Sequence, residues 1–269
     1  MMFILRMLCV FTLYIWILGC SNRPPENMAM IPSGKFTMGT DEADVDQKAT
    51  EYGIIKPWFV DEHPSHEVLL LSYYLDKFEV ANTDYQKFVM ATGHHSPPYW
   101  NGTQIPNGMD RYPVVMVSWE DAQAFCQWAN KRLPTEAEWE KAARPDRRRY
   151  PWGNDFDPNR ANVGGTRGGL TPVGSYEVGQ SPYGVFNLTG NVWEWTSDWY
   201  NPYPGNSIED VNFGEKYKVL RGNSWATVGH YPPEITRQIV AHNSRATFRL
   251  YFDPKGMLND IGFRCAKSK

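Results

Sequence analysis

Four cysteines (Cys9, Cys20, Cys126 and Cys265) and six histidines carry most of the chemistry that this 269-residue sequence could perform. No phosphate loop, nucleotide fingerprint or nucleophile elbow accompanies them. His63 and His66 stand three apart in a Glu-His-Pro-Ser-His stretch with no identifiable third ligand, which suits a surface or strand-entry role better than metal binding. His94 and His95 are consecutive, and in extended backbone they point opposite ways, an arrangement that does not easily chelate one ion. His230 and His242 fall in the segment from Val228 to Asn243, beside Tyr231, Pro232 and Pro233, where a metal pocket is one reading and a plain loop the other. Arg147, Arg148 and Arg149 form the only basic run, and it ends at the Tyr150-Pro151-Trp152-Gly153 turn, as a solvated loop would. A formal charge of -3 offers no field that would draw in nucleic acid.

The elements that must position these residues are short. A hydrophobic content of 42% supports one sizeable core, and 22 Gly with 20 Pro beside 14% aromatic residues suit a loop-rich α+β domain with little regular structure. Met30 to Gly39 alternates apolar and polar residues between turn formers, the mark of a short strand or hairpin, and Asp41 to Lys56 is a polar surface loop. Val68 to Val80 is expected as a strand entering the core. Thr83 and Gln86 have capping-box spacing at the start of a helix that Gly93 ends. His94 to Arg111 is an aperiodic excursion. Ser118 with Asp121, then Thr135 with Glu138, open two further helices, the second stopping before Pro145. From Tyr150 onward the backbone is expected to be long and irregular, stitched by turns.

The first residues are a different material. Arg6 precedes an apolar stretch from Met7 to Gly19, too short for a stable span, which reads as a signal peptide over residues 1–19. The closing Ile17-Leu18-Gly19-Cys20 resembles the lipobox of bacterial lipoproteins, so Cys20 is expected to be acylated and residues 20–27 to tether a domain spanning 28–269. The expected location is the cell envelope, lipid-anchored, with Ser21 after the cysteine favouring the outer membrane.

A set of ordered motifs runs through that domain: Ile31-Pro32-Ser33-Gly34-Lys35-Phe36-Thr37-Met38-Gly39, Val117-Ser118-Trp119-Glu120-Asp121-Ala122, Leu133-Pro134-Thr135-Glu136-Ala137-Glu138-Trp139, Gly190-Asn191-Val192-Trp193-Glu194-Trp195, Arg221-Gly222-Asn223-Ser224-Trp225 and Gly262-Phe263-Arg264-Cys265. Together they resemble the formylglycine-generating-enzyme, or sulfatase-modifying-factor, family over about residues 28 to 267. The resemblance implies a variant of the C-type-lectin fold. It also implies oxidation of a peptidyl cysteine with O2 and Cu(I) held by two thiolates, since soft thiolates select that ion. The first of those thiolates belongs just after the Ser224-Trp225 turn, where this sequence has Ala226 and Thr227, so copper has no seat there. Cys126 and Cys265 sit where the family carries a structural disulfide.

By the same resemblance, Asn187, Gly190, Val192 and Glu194 correspond to a structural Ca2+ site with hard oxygen ligands, while a second such site keeps only Asn162 and Val163. Ser224, Trp225, His230, His242, Arg245 and Arg249 surround the position of the former groove and are the candidate pocket. Phe248, Leu250, Tyr251 and Phe252 flank Arg249, either as an exposed aromatic strip for a partner or as a buried strand. The function expected is a non-catalytic binding or structural module of the cell envelope, taking a protein, peptide or glycan ligand. The alternative is a divergent oxidase or maturation factor of the same family.

Overall fold

The turn formers Pro32-Ser33-Gly34 divide the first alternating stretch into β1 (Met28–Ile31) and β2 (Gly34–Met38), whose inward residues Ile31, Phe36 and Met38 are buried. The computed structural model describes residues 24–54 and 56–269, so the expected signal segment and Cys20 lie outside the described residues. The polar segment after β2 contains one helical turn, α1 (Lys48–Glu51). The single strand expected over Val68 to Val80 is instead two, β3 (His66–Leu70) and β4 (Tyr73–Asp76). The reason lies in the partners: β3 pairs antiparallel with β2 and β4 with β1, so a chain serving two different sheets must break between them.

Three helices come next. In α2 (Asn82–Thr92) the expected capping box does not form, because Thr83 Oγ1 donates to the Asp110 carbonyl (3.0 Å) and Gln86 Nε2 to that of Thr103 (2.8 Å). Tertiary bonds to the 94–111 excursion have taken both side chains. Gly93 ends the helix in the left-handed region. The boxes at Ser118 and Thr135 do form, opening α3 (Trp119–Trp128) and α4 (Glu136–Ala143), the latter stopping at Arg144 before Pro145.

Beyond α4 the chain is irregular as far as β5 (Trp193–Trp199), then adds β6 (Lys218–Arg221), α5 (Pro233–Asn243), β7 (Leu250–Phe252), β8 (Ile261–Gly262) and β9 (Ala266–Ser268). The sheets are β1-β4-β9, β2-β3 and β7-β6-β5-β8, antiparallel except for β5 with β8. This arrangement is the sparse mixed α+β expected of a C-type-lectin-like domain. Gly190, at φ +86°, allows the chain to cross the Asn162 carbonyl, which a Cβ would approach to 2.6 Å.

Two devices hold so little regular structure together. The first is an aromatic core in which Tyr85 stacks on Phe125 and both meet Phe263 edge-on, with the buried Cys126–Cys265 disulfide tying α3 to the residue before β9. Closing a 139-residue separation contributes about 5 kcal/mol in the chain-entropy account. The second is a buried belt of ion pairs: Arg144 to Glu140 (2.8 Å), Glu140 to Arg221 (2.8 Å), Arg221 to Glu136 (2.7 Å) and Glu136 to Arg249 (2.7 Å). It links α4, β6 and the chain entering β7.

Candidate functional site

The segment from Val228 to Asn243, for which a plain loop is one of the two readings above, is mostly the helix α5, with its signals in the sequence: Pro233 at the first helical position, Glu234 in the first turn, and Ile235, Ile239 and Val240 at helical spacing. Val240 packs on Ala161 and Val163, Tyr52 Oη donates to Gln238 Oε1 (2.6 Å), and Tyr150 Oη donates to the Ala241 carbonyl (3.0 Å). So held, α5 forms one wall of a cavity of about 470 Å³. Lys56, Trp58, Phe59 and Glu62 line it opposite the helix, and Val228, Tyr231, Phe248 and Tyr251 complete the walls.

His242 reaches this cavity from the last turn of α5. Its ring stacks on Trp58 (4.1 Å between centroids, 15° between planes) and meets Phe59 and Phe248 edge-on at 4.9 and 5.5 Å. Nε2 lies 2.9 Å from the Arg245 guanidinium, which can only donate, so the ring proton is assigned to Nδ1. Burial first, then the Arg245 and Lys56 charges, holds this imidazole far below its ordinary range, and it stays neutral. Arg245 also forms a bidentate pair with buried Glu62, both bonds 2.7 Å, and lies 4.2 Å over the Phe59 ring. Burial pushes the Glu62 carboxyl up, but Arg245 more than offsets this and leaves it below its usual value. Lys56 Nζ is paired with Asp61 (2.9 Å). The cationic, anionic and imidazole groups here are thus committed to one another, while Trp58, Phe59, Tyr231 and Tyr251 remain partly exposed along the cavity.

The structure separates the other expected pocket residues. Ser224 Oγ donates to Asp260 Oδ2 (2.8 Å), and half-buried Trp225 follows it on the turn leading to Val228. Arg249 turns into the core and binds Glu136, not the cavity. His230 is exposed ahead of α5, and His242 Nε2 faces a guanidinium, so the two histidines do not form the metal pocket entertained for them. The aromatic strip is neither of its two alternatives: Phe248 is buried against Trp193, whereas Leu250, Tyr251 and Phe252 are the half-buried edge strand β7. His63 and His66 bond the backbone carbonyls of Glu42 and Pro64, as a strand-entry role requires.

Asn187, Gly190, Val192 and Glu194 supply calcium-compatible oxygen, and two of the four already have partners within the protein. Glu194 gives both carboxylate oxygens to Arg264 (2.6 and 2.7 Å) and accepts from Trp139 Nε1, while the Gly190 carbonyl accepts from Val192 N–H (3.0 Å). The calcium expectation for these four residues stands untested, with Arg264 bound to both oxygens of Glu194, the one charged member of the set. Nearby Glu79 receives the amides of Asn187 and Asn191, and burial, opposed by Arg264 and reinforced by Glu194, raises its carboxyl to about 6. At the former second site, Asn162 Oδ1 is buried without a partner.

The expected divergence of His94 and His95 is corrected. Directly after the Gly93 cap the two rings stack at 4.4 Å and both Nε2 atoms reach Asp121 Oδ1, at 2.8 and 3.0 Å. Sequence reasoning missed this group and the Lys56–Glu62 wall of the cavity. In the latter, the run Trp58-Phe59-Val60, apolar between charged neighbours, was the available signal.

Comparison with known proteins fits this geometry. Residues 19–269 match the sulfatase-modifying factor enzyme 1-like domain. The chain is 34% identical over 305 residues to the formylglycine-generating enzyme of Thermomonospora curvata, covering 90% of this chain and 93% of that protein. It is 31% identical over 314 residues to the inactive C-alpha-formylglycine-generating enzyme 2 of Mus musculus, covering 95% and 92%. Among solved structures, PvdO from Pseudomonas aeruginosa matches with a TM-score of 0.66 at 24% identity over 90% of this chain and 94% of that one, a likeness of fold.

Proposed function

We propose that this chain, which belongs to the sulfatase-modifying factor enzyme 1-like domain family, is a non-catalytic member that uses its aromatic cavity to bind a protein, peptide or glycan. The observation that carries this is the pairing of the charged groups beside the cavity: Arg245 binds both Glu62 and His242, and where the family's thiolates would follow the Ser224-Trp225 turn this sequence has Ala226 and Thr227. A site of paired charges and partly exposed aromatic rings favours contact with apolar or planar ligand surfaces. It offers no base or nucleophile poised for proton transfer. The similarity to an inactive relative supports the same view. The Ile17-Leu18-Gly19-Cys20 sequence supports display at the cell envelope through an acylated Cys20.

The second reading, a divergent oxidase, is favoured by the 34% identity to a formylglycine-generating enzyme. The two separate on one experiment: purified protein incubated with a Cys-X-Pro-X-Arg peptide, copper and O2. Unchanged peptide mass is expected, and formylglycine in the product would overturn the binding reading. Palmitate labelling that is lost in Cys20→Ala tests the anchor, and labelling that survives the substitution would refute it.

A further inference from the structure

We infer that His94, His95 and Asp121 form a binding site for a transition-metal dication of the Zn2+ class, separate from the aromatic cavity. One ligand atom from each residue lies within 4.8 Å of the others. Each Nε2 is about 3 Å from Asp121 Oδ1, at 2.8 Å for His94 and 3.0 Å for His95. A tetrahedral ion with metal–ligand bonds of about 2.0–2.1 Å needs ligand atoms roughly 3.3 Å apart, so small side-chain movements would seat one. Two imidazoles and one carboxylate suit Zn2+ and its neighbours, whereas Ca2+ and Mg2+ prefer all-oxygen sets.

The carboxylate is held in advance. Asp121 Oδ2 accepts from Ser118 N–H (2.9 Å) and Ser118 Oγ (2.7 Å), fixing the group while Oδ1 stays turned toward the histidines. His94 is braced by the Phe88 ring at 4.7 Å, and His95 stacks on His94. Such support of ligands by their neighbours is what a metal site requires. Without an ion, His94 Nε2 hydrogen-bonds to Asp121 Oδ1 and His95 Nε2 lies within ion-pair distance of the same oxygen. With an ion, each ring carries its proton on Nδ1, and the nitrogen lone pairs and Oδ1 converge on the metal. The His95 side chain is 65% exposed, so the fourth position faces solvent and would carry water or an exogenous ligand. The electropositive N-terminus of α3 opposes a cation here, and the Asp121 charge offsets it. The ion would join the end of α2 to the start of α3, the helix that holds Cys126.

The test is a titration of chelator-stripped full-length protein with Zn2+, read by calorimetry, and with Co2+, read by its visible absorption. The wild type is expected to bind one ion at this site, with a tetrahedral cobalt spectrum. His95→Ala, at an exposed position that should leave folding intact, is expected to weaken binding by more than about tenfold, since disturbing even a supporting group of a metal site costs about that much. His63→Ala, outside the site, is expected to bind as the wild type does. Equal Zn2+ affinity in the wild type and the His94→Ala/His95→Ala double variant, or no binding by the wild type, would overturn the assignment.

Discussion

Lowering the pH from 8 to 5 tests the assignment of His242 as a neutral, buried acceptor. Its ordinary value is 6.5, and burial with the Arg245 and Lys56 charges depresses it strongly in the folded protein. Below 6.5 the unfolded chain takes up a proton at this residue and the folded chain does not, so stability is complete above that value and falls as the pH drops. With 1.36 kcal/mol per pH unit, the loss at pH 5 from this residue alone is about 2 kcal/mol. For a domain of this size that is about 4–8 °C in melting temperature. His242→Phe keeps a ring against Trp58 and removes the titration. It also leaves Arg245 one acceptor short, so its melting point at pH 8 is lower and the pH dependence is the informative readout. Calorimetry at both pH values should show the variant losing about 2 kcal/mol less than the wild type. Identical pH dependence would mean that His242 protonates freely in the folded state, and the packing argument for a non-catalytic cavity floor would fail.

Three further outcomes follow from the same structure. Removing the disulfide with Cys126→Ala/Cys265→Ala should lower the unfolding free energy by up to about 5 kcal/mol, seen in urea titration, and reductant should then have no added effect on the variant. Glu79→Gln should remove a pH-dependent loss of stability: a carboxyl raised to about 6 from 4.5 is penalised when charged and regains stability as the pH falls through 6, so an unfolding free energy with the same pH dependence in variant and wild type would refute the shift. Removing calcium with EGTA should leave the melting temperature unchanged, and a calcium-dependent rise would show that Glu194 releases Arg264 to an ion.

Local signals in the sequence identified the elements whose bonds are local. The capping boxes at Ser118 and Thr135 and the stops at Gly93 and Arg144 are decided within one helical turn, and all appear in the structure. Thr83 and Gln86 carry an equally good pattern, but their partners Asp110 and Thr103 arrive from a loop whose path no periodicity reveals. The break between β3 and β4 was illegible for a related reason, since it depends on which sheet each half joins. The cavity was half visible. His242 and Arg245 were expected there from the Ser224-Trp225 motif, while Glu62 lies 183 residues from Arg245 in the chain, and a contact at that range leaves no trace in spacing. His94 and His95 converge on Asp121, 27 residues from His94 in the chain, a partner that their own spacing does not reveal.

The buried ion-pair belt accounts for how this fold tolerates an altered groove. Glu136 binds both Arg221 and Arg249, and Glu140 binds both Arg144 and Arg221, so β6 and the entry to β7 are fixed to α4 from behind, away from the turn carrying Ala226 and Thr227. Removing one member would leave a charge stranded in the core at a cost of about 3–5 kcal/mol, whereas replacing a thiol on the turn in front strands nothing. Substitution at Glu136, Glu140 or the three arginines therefore costs folding energy that substitution in the turn after Trp225 does not. On that division of roles, α5 and the aromatic wall from Trp58 to Phe59 are where a new ligand preference could arise without disturbing the framework that presents them.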